Sequence, residues 1–106
     1  MNSQQLGSQA QDLQAKAASN RHQAERFTFN AEEYRKNGDE TKAAVEDERA
    51  QRLIAEADGY ESESEQLSQA SLLQDARARQ IDSEIEQIRS EADSKIAEKE
   101  REKERL

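Results

Sequence analysis

The sequence predicts an all-α protein: an alanine-rich, coiled-coil-like antiparallel helical hairpin followed by a long C-terminal helix. Three observations predict it. Ala, Glu, Lys, Leu and Arg supply 56 of the 106 residues, the composition of long helices and coiled coils. Apolar and small residues recur in steps of four and three, the heptad spacing. One Asn-Gly-Asp step divides two such tracks. If the chain turned again near 59–62 or 70–78, the same pattern would close into a three-helix bundle.

The first track runs Leu6, Ala10, Leu13, Ala17, Asn20, Ala24, Phe27, Ala31 and Tyr34. Alanine holds every a position and, Asn20 apart, larger residues hold d. Asn20 is the one polar residue on the seam, a residue type that sets register there at a cost in stability. A helix over 3–37 follows. Asn37-Gly38-Asp39 then supplies a glycine suited to the left-handed residue past a helix end, and an aspartate suited to cap the next helix.

The second track begins at Ala43 and keeps its register through Glu46, Ala50, Leu53, Ala57, Tyr60, Ser64, Leu67 and Ser71 to Ile81, Ile85, Ile88 and Ala92. A helix break at Gly59 would not need to preserve register. The spacing therefore predicts continuity there, at a cost of about 1 kcal/mol relative to alanine. Ser62-x-x-Glu65, which reads as a capping box, is the opposing signal. Ser71 and Gln74 mark a second soft spot, because Leu72 and Leu73 fall off the track. Residues 98–105 are all charged, and their helix should fray.

Ala10, Ala17, Ala24 and Ala31 of the first helix, and Ala43, Ala50 and Ala57 of the second, are thus the expected hairpin seam. Methyl groups at one position in every seven let two backbones approach closely, and a short turn makes them antiparallel. The expected organisation is a single elongated helical domain over 1–106. Within it lie helix 3–37, a partner helix 40–71, and a 72–106 helix for oligomerisation or partner docking.

Tyr34-Arg35-Lys36-Asn37-Gly38-Asp39, with Phe27, Ala31, Ala43 and Ala50 around it, resembles the hairpin turn of a tetratricopeptide repeat. The likeness covers residues 27–50 and implies two antiparallel helices joined tightly. Asp47 stands where that repeat has an aromatic residue, no closing proline follows, and there is no second copy. A shared hairpin solution accounts for it.

Large apolar residues are few. Leu, Ile, Val and Phe total 15 residues, about 14% of the chain, too few for a globular core of this length. Without cysteine there are no disulfides or thiolate sites, and without a Gly-rich loop no phosphate cradle. His22 lies at an outward f position with no partner histidine, so neither catalysis nor a cofactor or metal is expected. Basic residues are dispersed among acids with no stripe for nucleic acid, and no apolar run has the length of a membrane span. A cytoplasmic protein is the expectation, since the polar first ten residues form no signal peptide.

What remains is interaction. Ile81, Ile85 and Ile88 continue the track beyond the reach of the first helix, and Phe29, Leu72 and Leu73 lie off the hairpin seam. These six are the candidate contact residues for a homo-oligomer or another helical protein. The expected function is non-enzymatic and structural: a hairpin that self-associates or docks partner helices through coiled-coil seams. The alternative is an acidic helical chaperone or scaffolding-type protein that binds clients transiently. Net charge is −8, and no basic residue lies between Arg52 and Arg77, so the 53–76 stretch suits a basic protein partner.

Overall fold

The computed structural model describes residues 1–106. It consists of two helices, α1 (Ser3–Lys36) and α2 (Glu40–Glu104), and no strand. The chain divides into two compact units, Met1–Ser71 and Leu72–Leu106.

The start of α1 is set by a capping box. The Asn2 side chain accepts from the Gln5 backbone N–H at 2.8 Å, and the Gln5 side chain accepts from the Asn2 N–H at 3.0 Å. Two donors that no helical carbonyl can reach are thereby satisfied. The end of α1 forms the paired bonds of a Schellman turn: Asp39 N–H to the Tyr34 carbonyl at 2.9 Å, and Gly38 N–H to Arg35 at 3.0 Å. Gly38 sits at φ 78°, where a Cβ would be strained, and it is the sole residue with such a value. Asp39 then serves both helices, because its carboxylate also accepts from the Lys42 N–H at 3.1 Å as the cap of α2.

In the first unit α1 packs against the leading part of α2. Two hydroxyls define the register. Ser64 Oγ donates to the Ala10 carbonyl at 2.7 Å, and Ser71 Oγ to the Ser3 carbonyl at 2.9 Å. Residues equidistant from Asn37 therefore face one another: Ala57 opposite Ala17, Ala50 opposite Ala24, Ala43 opposite Ala31. All seven of these seam alanines, Ala10 included, are buried, with Leu6 and Ser64 the other buried residues. A hydroxyl carried on a single methylene touches the facing backbone only where two helices run close together. The small a side chains permit that approach.

The larger d residues Leu13, Phe27, Tyr34, Leu53, Tyr60 and Leu67 flank the alanines and are half-buried. Basic side chains from the facing helix close over their rings: Arg49 lies 5.9 Å from Phe27, Lys42 5.7 Å from Tyr34, and Lys16 6.0 Å from Tyr60. Asn20 is half-buried, with its amide donating to the Leu53 carbonyl at 3.4 Å and to Glu56 at 3.0 Å. The polar seam residue thus reads one turn of α2, Leu53 to Glu56, as a register device should.

The alternative three-helix bundle does not form. α2 passes through both 59–62 and 70–78 without a turn. Gly59 is helical and has open space around it, so the missing side chain costs conformational entropy and nothing in packing. Ser62 does not cap a new helix, because the preserved heptad favours propagation, which fixes one residue per hydrogen bond, over a fresh nucleus. The charged end also remains helical, to Glu104.

Candidate interaction surface

The second unit contains no buried residue at all. Ile81, Ile85 and Ile88 are 40%, 40% and 64% exposed. Their spacing of four and three places them on one face of α2. Ala78 precedes them and Ala92 follows at the same heptad positions, so an apolar stripe runs from 78 to 92. Leu72 and Leu73 are exposed as well, but they stand at b and c, off that stripe. Ile96, exposed at an e position, borders it.

Phe29 belongs to the first unit. It is 61% exposed and lies in a groove between the hairpin helices with Thr28, Ile54 and Arg21. The six candidate contact residues thus fall into three places: the isoleucine stripe, the Leu72-Leu73 pair and the Phe29 groove. Only the isoleucines present a heptad seam.

The acidic stretch 53–76 is in part matched by its own hairpin. Arg21 of α1 forks between Asp58 at 2.7 Å and Glu61 at 3.0 Å. Hydrogen bonds to Glu61 and then Asp58 hold the Arg21 guanidinium above its ordinary pKa. Glu56 takes the Asn20 amide. Glu63 and Glu65 carry no ion pair. The Arg21 fork is not evident from composition, because it depends on which α2 residues the hairpin register sets beside α1.

A second feature that the heptad pattern alone does not expose is Glu46, a d residue close to the turn. Its Oε1 pairs with Arg49 at 3.2 Å, whereas its Oε2 is buried without a hydrogen-bond partner. A buried acceptor left unsatisfied costs about 1–3 kcal/mol. Glu46→Leu should therefore stabilise the hairpin by about 1 kcal/mol, after loss of the exposed Arg49 pair, worth about 0–1 kcal/mol, is counted. A higher urea midpoint with an unchanged m-value checks this, and a lower midpoint would contradict it.

His22 is exposed and stands 4.0 Å from Glu25. No group of three His, Asp or Glu side chains is placed to hold a metal ion. No helix is long and apolar enough to cross a membrane. In comparisons with protein-family models, curated proteins and solved structures, nothing matches this chain.

Proposed function

We propose that this chain is a non-enzymatic structural protein that self-associates through a coiled-coil seam on residues 72–106 of α2. The observation that supports the reading is the stripe of Ile81, Ile85 and Ile88, exposed at a and d positions of a helix that buries nothing there. Scattered surface apolars are ordinary, but three isoleucines in heptad register on one face are not scattered. Each gains about 1.5–3 kcal/mol if fully buried. The alanine hairpin gives the helix a folded start, so the seam need not nucleate helix as well as associate.

The test is sedimentation equilibrium of the full chain over a wide concentration range, with melts followed by circular dichroism. The expected result is a mass that rises above 12.1 kDa with concentration and a melting temperature that rises with it. A mass of one chain at every concentration would overturn the reading.

A further inference from the structure

Resting on that self-association, we infer that the occupant of the stripe is a second copy of this chain, lying parallel and in register, and that flanking charges select this arrangement. With Ala78, Ile85 and Ala92 at a and Ile81 and Ile88 at d, the g positions are Arg77, Glu84, Glu91 and Glu98. The e positions are Asp82, Arg89, Ile96 and Lys103. In a parallel pair each g residue meets the e residue five places on in its neighbour. The four meetings are Arg77 with Asp82, Glu84 with Arg89, Glu91 with Ile96, and Glu98 with Lys103. Three join opposite charges, two of these along the apolar stripe and one beyond it. None joins like charges. The fourth sets exposed Ile96 beside the stem of Glu91.

The antiparallel arrangement sets g against g. Three of the four g residues are glutamate, so shifts that align the apolar stripe bring Glu84 against Glu84 or Glu91 even as Arg77 meets Glu91 or Glu98, whereas the parallel pair has no like-charge meeting. The charges also remain available for a neighbour. Arg77, Asp82, Glu84, Glu98 and Lys103 form no ion pair within the chain, Arg77 bonding only the neutral Gln80. Arg89 has only a loose 3.9 Å contact with Glu86. Charge is balanced here as well: residues 72–106 hold 10 acidic and 8 basic residues, against 5 acidic and no basic from 54 to 71. The strongly acidic half of the protein is thus near-neutral where two copies would meet.

The test uses full-length variants. Glu84→Arg places two arginines together at the meeting of positions 84 and 89, which occurs twice in each pair of chains. Arg89→Glu places two glutamates together at the same meeting. Each variant alone should dissociate about 10-fold more readily than wild type, equivalent to about 1.4 kcal/mol spread over two exposed meetings. An equimolar mixture should recover wild-type affinity as a heterodimer, and the double variant should recover it alone. Ala92→Cys, in a chain with no other cysteine, should form a disulfide-linked dimer under mild oxidation, because equivalent a residues face each other only in the parallel, in-register pair. Self-association without that disulfide, or single charge variants that associate as tightly as wild type, would overturn the parallel arrangement and leave the self-association reading standing. A wild-type mass of one chain would overturn both.

Discussion

Ala57→Leu should destabilise the hairpin by about 1–3 kcal/mol, the range for overpacking a filled interior. Ala57 is fully buried, and the register set by Ser64 and Ser71 places it opposite Ala17, itself 1% exposed. An isobutyl group in place of a methyl has no space to enter unless the helices separate. Separation would lengthen the Ser64–Ala10 bond and uncover the neighbouring alanines, so the cost spreads along the seam. Helix propensity does not confound the experiment, since leucine is nearly as good a helix former as alanine. Ala55→Leu, two residues away and exposed, is the control and should stay within about 0.5 kcal/mol of wild type. Urea unfolding monitored by the helical circular dichroism signal reads both. Equal midpoints for the two variants would mean that alanine is present on the seam for propensity and not for close approach.

The same pair of alanines shows how much of the fold is legible in the sequence. The heptad period with alanine at every a position predicts the helices, the hairpin and its buried face. Gly38 and Asp39 locate the turn because their conformational roles are local. Gly59 is decidable for a different reason: preserved register across it is a long-range signal that outweighs one unfavourable residue. Interactions that depend on the pairing of two particular positions are less legible. Ser64 and Ser71 count only as polar seam residues until the register sets them against the Ala10 and Ser3 carbonyls. The fork of Arg21 between Asp58 and Glu61 likewise needs the register first.

That difference bears on how the hairpin is held. Arg21, Arg35 and their acidic partners lie at the margins of the seam, where exposed pairs contribute about 0–1 kcal/mol each. Added salt should screen them without opening the helices, because the buried contacts are methyl against methyl and hydroxyl against carbonyl. Large side chains are dispensable in such a seam, which explains how a chain with about 14% large aliphatics and phenylalanine holds a defined fold over its first 71 residues. It also isolates the isoleucines. Ile81, Ile85 and Ile88 are exposed in a unit without a buried residue, so their placement at consecutive heptad positions calls for a separate cause.

Ile85→Asp tests that cause most severely. Ile85 is the a residue at the centre of the stripe, with Ile81 and Ile88 as its d neighbours. In a pair of copies, the substitution removes two apolar side chains worth about 1.5–3 kcal/mol each and sets two carboxylates face to face. The loss from burial alone corresponds to at least about a 100-fold weaker association. An unpaired charge in an apolar seam adds to it. The variant should sediment as a single chain at concentrations where wild type is associated. Its helical signal should fall little, because Ile85 is exposed and lies in a unit that contains no buried residue. Ile85→Ala, which keeps helix propensity and introduces no charge, should weaken association to an intermediate degree. Ser94→Asp, which adds the same charge at a c position off the stripe, should leave the mass unchanged. If Ser94→Asp dissociated the assembly as fully as Ile85→Asp, net charge and not the isoleucine seam would govern association. If neither did, the contact would have to lie elsewhere, and the Phe29–Ile54 groove would be the next surface to alter.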